Sequence, residues 1–128
     1  MPGFCALAIS FIASTCSFAA ASPSVLTTKN QLAVGRQLYR HFCGQCHALA
    51  KALSAGFGNN TKGVGGNGGP SFNQLRVPCT FSIQAVTEPT GGHELVRTKI
   101  TSNELGKVAT FIATETRGNP IPALPTDG

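Results

Sequence analysis

Two cysteines and a histidine stand within five residues of one another, in the segment Cys43-Gly44-Gln45-Cys46-His47. This spacing, C-x-x-C-H, is the attachment pattern of c-type haem. Two thiols one helical turn apart can each form a thioether with one of the two vinyl groups of a porphyrin. The histidine that follows then lies beneath the iron as an axial ligand. The motif predicts one covalent haem c, held by Cys43 and Cys46 and ligated by His47.

The first 21 residues have the features of a secretory signal peptide. They carry no charged side chain, contain the apolar stretch FCALAISFIA and place Ala19 and Ala21 at the minus-three and minus-one positions of a cleavage site. No lysine or arginine precedes the apolar stretch, so an uncleaved membrane anchor is the alternative. The chain is therefore expected outside the cytoplasm, in the periplasm or on the extracytoplasmic face of the membrane.

Residues 22–117 are expected to form one small domain. A chain of about a hundred residues builds only a modest core, and this one has no Trp and one Tyr, so a disulfide, a metal or a cofactor is expected to stabilise the fold. The net charge of +5 comes from ten basic and five acidic residues that are spread singly along the chain. No basic cluster alternates with aromatic residues, which argues against nucleic-acid binding.

Three other interpretations of the cysteines remain open. A thioredoxin-like redox pair requires a preceding strand in a βαβ unit, which the sequence does not indicate. A zinc site would have to recruit Cys79 or His93, but no second closely spaced ligand pair completes a tetrahedron. The simplest alternative is a disulfide between Cys43 and Cys46. Export and the histidine directly after the second cysteine together favour haem.

Three helices are predicted around the motif, and no strand. Apolar residues recur at helical spacing over residues 31–42, which delivers Cys43 at the end of a helix. A short helix is expected from Pro78 to Val86. A third helix is expected to begin at a capping box, Thr101-Ser-Asn-Glu104, and to end near Arg117. Residues 56–70 are too rich in glycine for a regular element, and residues 118–128 form a proline-rich tail that we expect to be flexible.

Three segments form a joint pattern: GRQLYRHFCGQCH, GGPSF and ITSNELGKVATFIA. In this pattern the chain resembles, over residues 31–116, the small class I c-type cytochromes. The resemblance implies an all-α fold of three to four helices packed around a covalently bound haem. It also implies that the first and last helices cross at close range, through Gly35 and Tyr39 on the first and Phe111 on the last.

The resemblance assigns a role to Pro70 and reveals one departure. In the family, a proline at this place packs beside the haem histidine, and its carbonyl oxygen accepts the second ring hydrogen. Such a bond would fix the tautomer of His47. The methionine that those proteins use as second iron ligand is missing, because Met1 is the only methionine of the chain.

The replacement for that methionine is expected in the loop EPTGGHELVRTK, which by the resemblance covers the far face of the ring. In one family pattern the ligand stands eight residues before the cap of the last helix at Thr101, which selects His93 as the candidate sixth ligand. A tighter pattern selects Arg97, which cannot bind iron. An empty or water-filled sixth position is the alternative. Cys79 is expected to be a buried apolar thiol.

Together, the predicted signal peptide and the resemblance imply an exported, monomeric cytochrome that carries single electrons between larger redox proteins. If His93 binds the iron, its reduction potential should be lower than that of a His/Met cytochrome of the same fold. An open sixth position would instead suit a sensor of small ligands or a peroxidase-like protein. Apart from this site, the sequence contains no carboxylate pair, nucleophile with a base, or metal triad, so we predict an electron carrier with at most weak peroxidase-like activity, and no substrate is identified.

Overall fold

A computed structural model describes residues 28–57, 68–88 and 92–121. Four helices and a two-stranded antiparallel sheet follow one another in this order: α1 (Thr28–Phe42), β1 (Ala48–Leu49), a 3-10 turn (Ala50–Ala52), β2 (Ser54–Ala55), α2 (Cys79–Thr87), α3 (Glu94–Arg97) and α4 (Ser102–Glu115). The mostly helical architecture predicted from the sequence is confirmed. The expectation that the chain has no strand is wrong.

Some sequence predictions fall on other parts of the chain. The predicted signal peptide over residues 1–21 and most of the glycine-rich stretch over 56–70 lie outside the described residues. Within the three described ranges, none of the helices is both long and apolar enough to span a membrane.

The packing of α1 against α4 forms the centre of the fold. The two helices approach closely at Gly35, where an added Cβ would stand 2.7 Å from the carbonyl oxygen of Lys107. Next to this crossing, the rings of Tyr39 and Phe111 are 5.9 Å apart between centroids and tilted by 56°. These are the residues expected at the crossing, and only a residue without a side chain fits at the first of them.

The hydrophobic core extends from this helix pair to the segments that follow α1 and precede α2. Its members are all nearly inaccessible to solvent: Tyr39, Leu49, Ala52, Val77, Val108, Phe111 and Ile112. Buried residues recur on α4 with the three-to-four spacing of a helix that packs through one face. Cys43 is partly buried against this core, so the first cysteine of the motif is attached to the centre of the fold.

The two ends of α4 are fixed by side chains. At its start, the Thr101 hydroxyl accepts a hydrogen bond from the backbone N–H of Glu104, and the Glu104 carboxylate accepts one of 2.8 Å from the backbone N–H of Thr101. The predicted capping box is therefore present. At its end, the buried Thr116 hydroxyl donates to the Ile112 carbonyl and accepts from the Val77 N–H, which ends the helix just before the predicted Arg117.

The remaining helices differ from the prediction in extent. Helix α1 begins at Thr28, ahead of the expected start. Helix α2 follows Pro78, whose extended backbone forms its N-cap, and it packs against α4. Helix α3 was not predicted, because a single turn over Glu94–Arg97 is too short to show a period.

The start of the predicted tail is attached to the body of the protein. The Asn119 side chain donates to the carbonyl oxygens of Phe72 and Leu75, and the Pro120 carbonyl oxygen accepts from the backbone N–H of Arg76. A flexible tail that begins at residue 118 does not agree with these bonds. The chain beyond Ile121 lies outside the described residues.

Candidate functional site

The C-x-x-C-H motif forms a tight turn that continues directly from α1. The backbone N–H of Cys43 donates to the Tyr39 carbonyl oxygen at 2.8 Å, as a further helical residue would. The N–H groups of Cys46 and His47 both donate to the Cys43 carbonyl oxygen, at 3.0 and 2.9 Å. One turn of backbone thus holds both thiols and the histidine, which is the arrangement that the spacing predicts.

Both thiols of the motif are free, and their environments differ. Cys43 is partly buried, whereas Cys46 is exposed. Burial, followed by the negative charge of Cys46, raises the pKa of the Cys43 thiol to about 12. Because the thiolate is the reactive form, a thiol that stays protonated at neutral pH is a poor partner in thiol–disulfide exchange. The disulfide between Cys43 and Cys46 is not formed, and the thioredoxin-like interpretation loses support.

The backbone of His47 is fixed by a buried tyrosine. The Tyr39 hydroxyl donates a hydrogen bond of 2.7 Å to the His47 carbonyl oxygen. Tyr39 is fully buried, and burial, followed by the charge of Cys43, raises the pKa of its hydroxyl. The hydroxyl is therefore always a donor at neutral pH. Sequence reasoning gave Tyr39 a role in helix packing alone, and this second role positions the histidine.

The imidazole of His47 is fixed by residues from the other side of the glycine-rich stretch. Its Nδ1 lies 2.9 Å from the Pro70 carbonyl oxygen, which is the contact expected for this proline. A carbonyl oxygen only accepts, so Nδ1 carries the ring hydrogen and Nε2 carries the lone pair. The Phe72 ring is stacked on the imidazole, with centroids 4.5 Å apart and planes 16° apart.

Glycine is required beside this ring. A Cβ at Gly69 would overlap the Cε1 and Nδ1 atoms of His47. The backbone N–H of Gly69 also donates to the Cys46 carbonyl oxygen at 3.0 Å, so the segment before Pro70 is tied to the motif itself. The imidazole is therefore enclosed between a bare backbone and the Phe72 ring.

Two further bonds hold the segment that carries Pro70 and Phe72. The Phe72 N–H donates to the Ala48 carbonyl oxygen at 2.8 Å, and the Asn73 side chain accepts from the Ala50 N–H at 2.7 Å. Both partners belong to β1 and the 3-10 turn that follows the motif. The short hairpin that the sequence did not reveal is thus the surface on which this segment is anchored.

The His47 imidazole is held in its neutral form. Burial is the main cause that lowers its pKa, and the charge of His93 acts in the same direction. The hydrogen bond to Pro70 opposes them, because a positive imidazole donates more strongly than a neutral one. The net pKa lies below the usual value for histidine, so the lone pair on Nε2 is available at neutral pH.

The second histidine of the site comes from the loop before α4. His93 forms the N-cap of α3 and is half-buried. Its ring centroid is 6.0 Å from that of His47, and the two ring planes are 6° from parallel. The structure therefore brings together the two histidines selected from the sequence. Arg97, the residue chosen by the tighter family pattern, is exposed on α3.

The other candidate ligands stand apart from this pair. His41 is exposed at the end of α1, with its ring edge-on to Phe42 at 4.6 Å. The expectation that Cys79 is a buried thiol is wrong, because this cysteine is half-buried and is disulfide-bonded. Among the described residues, no group of three or more histidine, cysteine or acidic side chains is arranged to hold a metal ion. The zinc interpretation gains no support from them.

Sequence reasoning missed two residues that shape the site, Gly69 and Phe72. A signal was present, since both belong to the run GGPSF around Pro70. Two consecutive glycines before a proline indicate a backbone that passes close to another group of the protein. The aromatic residue that follows is available to pack on that same group.

The chain matches no protein-family model, no curated protein and no solved structure. The interpretation of the site therefore depends on its own residues and geometry.

Proposed function

We propose that this chain is an exported, monomeric c-type cytochrome that holds one haem c covalently and carries single electrons between redox proteins. One observation carries the proposal. Cys43 and Cys46 lie on one turn, followed by His47, whose Nδ1 is used by Pro70 so that Nε2 is left for a metal. A histidine that donates its other ring hydrogen to a backbone carbonyl is the usual arrangement of a metal-ligating imidazole.

Covalent attachment would use the thiols of Cys43 and Cys46 and the two vinyl groups of the haem. Each thiol adds across one vinyl group, so that the sulfur bonds to one carbon and the thiol hydrogen goes to the other. No atom leaves and no oxidant is consumed. Bound haem supplies an iron that takes one electron from a reduced donor and passes it to an oxidised acceptor.

Two exposed apolar side chains are available for contact with a flat apolar group. Phe81 on α2 and Leu95 on α3 are 69% and 74% exposed, and these two helices are in contact. Large exposed apolar side chains on adjoining elements favour a contact with an apolar partner. Burying one such side chain contributes about 1.5–3 kcal/mol, which would help a domain with so small a core.

Within this proposal, the role of the protein is to hold and tune the iron. Pro70 and Tyr39 fix the ring and the backbone of His47, and Phe72 excludes water from one face of its imidazole. The methionine ligand of the cytochromes that the sequence resembles is absent from the chain, so the potential should be below that of a His/Met protein. The absence of a catalytic constellation in the sequence favours electron transfer over catalysis.

The decisive experiment asks whether pigment is bonded to the polypeptide. The full chain is exported from a host that matures c-type cytochromes, then denatured and extracted with acidified organic solvent. We expect the pigment to stay with the protein. Cys43→Ala and Cys46→Ala should each leave one thioether, shifting the reduced pyridine spectrum to longer wavelength, and the double variant should lose covalent pigment.

Gln45→Ala is the matched control, because it changes an exposed residue between the two cysteines and should keep both thioethers. A colourless protein, or pigment that is extracted completely from the unaltered chain, would refute the proposal. Pigment that is covalent but binds carbon monoxide rapidly would favour the sensor or peroxidase-like alternative over an electron carrier.

A further inference from the structure

The two histidine rings of the site have a geometry that goes beyond simple proximity. Their centroids are 6.0 Å apart and their planes differ by 6°. A bond from an imidazole nitrogen to a metal is about 2 Å long and the ring centroid lies about 1.2 Å behind that nitrogen, so two rings on opposite sides of one metal have centroids about 6.4 Å apart. The observed separation is close to this value.

The ring of His47 also presents the correct atom. Because Nδ1 donates to the Pro70 carbonyl oxygen, Nε2 is the nitrogen left for a metal. The close approach of the Gly69 backbone on one side and the stacking of Phe72 leave this ring little freedom to rotate. The plane of the first imidazole is therefore fixed by the fold.

The position of the second ring depends on the backbone around it. Gly92 has a φ of +92°, a conformation that side-chain-bearing residues rarely adopt, and an added Cβ would face open space. On the other side, the Arg97 N–H donates to the His93 carbonyl oxygen at 2.9 Å, which closes the single turn of α3. The backbone on the two sides of His93 is thus shaped by one glycine and one short helix.

We propose that His93 is the second axial ligand of the haem iron and that its imidazole plane is parallel to that of His47. The inference rests on the proposed function and adds to it the identity and orientation of the sixth ligand. Two imidazoles stabilise the ferric state and leave no coordination position open. Parallel rings direct their π electrons at the same iron d orbital, which separates its energy from that of the perpendicular orbital.

The competing explanation is an aromatic pair without a shared metal. Parallel offset rings occur at centroid separations of about 4.5–7 Å, and this pair falls in that range. The two explanations differ in their spectra, because an aromatic pair leaves the iron five-coordinate or water-bound.

The test uses the full chain with its covalent pigment. The ferric electron paramagnetic resonance spectrum should be low-spin and rhombic, with three resolved g values, and near-infrared magnetic circular dichroism should report two imidazoles. His93→Ala should become high-spin and bind carbon monoxide, and added imidazole should restore the low-spin spectrum. His93→Met should stay low-spin with a raised potential. His41→Ala, which removes the exposed histidine on α1, should change nothing.

A second pair of variants tests the role of the backbone without touching either ring. Gly92→Ala should give a mixture of high-spin and low-spin iron, because alanine disfavours the left-handed region and displaces His93. Gly118→Ala also adds a methyl group in open space, at a backbone without positive φ, and should keep the low-spin spectrum.

The outcomes separate this inference from the proposed function. Covalent pigment that is high-spin in the unaltered chain, or a His93→Ala protein with an unchanged low-spin spectrum, would overturn the inference and leave the haem assignment standing. A single strongly anisotropic low-spin signal would overturn the parallel orientation. Loss of covalent pigment would instead refute the proposed function.

Discussion

Gly35 of α1 and Phe111 of α4 approach so closely that a Cβ on the glycine would stand 2.7 Å from the Cβ of the phenylalanine. The Lys107 carbonyl oxygen is equally close. A backbone oxygen cannot rotate away as a side chain can, so a methyl group here must separate the two helices. The contact between α1 and α4 thus limits position 35 to glycine.

Gly35→Ala should therefore destabilise the protein, although alanine is the better helix former. Overpacking costs about 1–3 kcal/mol, and we expect the upper end because backbone is involved. Helix propensity returns about 1 kcal/mol. The net loss in the free energy of unfolding should be about 1–2 kcal/mol, measured by urea denaturation. Gly118→Ala is the control and should show no loss; a Gly35→Ala protein as stable as the original would mean that the helices are not in close contact.

The second prediction concerns the support of the His47 imidazole. Gly69→Ala would place a methyl group in the space of the Cε1 and Nδ1 atoms, so the ring should turn and lose its bond to Pro70. Removing such a support typically weakens metal binding about 10–100-fold. In the haem-bearing protein we expect covalent pigment to remain, with a mixed spin state and a shifted reduction potential.

Pro70→Ala distinguishes the contribution of the Pro70 carbonyl oxygen from that of its ring, because it removes only the ring. This variant keeps the backbone acceptor, so its spectrum should stay close to that of the unaltered protein. Equal effects of the two substitutions would show that the ring of Pro70, rather than its carbonyl oxygen, supports the histidine.

The helices that the sequence predicted well have strong local signals. The start of α4 is predicted by a capping box that spans only four residues, Thr101 to Glu104. Five apolar side chains on one face of that helix are buried, as their spacing predicts. Helix α3 and the hairpin have no such signal. Each strand is only two residues long. The turn before β2 depends on Leu53 in a left-handed conformation with φ 56°, and the residue type leucine does not predict that conformation.

The residues of the site show the same difference between local features, which the sequence predicts, and long-range contacts, which it does not. The C-x-x-C-H turn is local, so its spacing alone predicted where Cys43, Cys46 and His47 would stand. The contacts of His47 with Pro70 and Phe72 connect segments on either side of the glycine-rich stretch, and no periodicity or spacing can predict such a contact. Pro70 was available from the resemblance, whereas the stacking of Phe72 required the structure.

The third prediction is a pH dependence of stability. Hydrogen bonds from the backbone N–H and the hydroxyl of Thr101 hold the pKa of Glu104 below its usual range, and the charges of Lys107 and His41 act in the same direction. A carboxyl whose pKa is lower in the folded state stabilises the fold above its unfolded-state pKa. That contribution is lost as the pH falls through the folded-state pKa.

Glu104→Gln should therefore lower the free energy of unfolding at neutral pH, and its difference from the unaltered protein should shrink as the solution is acidified. Urea denaturation at a series of pH values measures this difference. Glu115→Gln is the control at the opposite end of α4, where loss of a negative charge should cost nothing because the helix dipole disfavours it. A Glu104→Gln deficit that is constant with pH would show that packing, not charge, is responsible.

The fourth prediction compares two buried hydroxyls with opposite roles. Thr116 donates to Ile112 and accepts from the Val77 N–H, so Thr116→Val keeps the shape but leaves a buried donor without its partner. Such a loss costs about 1–3 kcal/mol.

The buried Ser82 hydroxyl of α2 has no hydrogen-bond partner within the described part of the chain, so Ser82→Ala removes a polar atom that contributes nothing there. Thermal and urea unfolding should show a clear loss for Thr116→Val and no loss, or a small gain, for Ser82→Ala. A marked loss for Ser82→Ala would mean that its hydroxyl bonds to a group outside those residues.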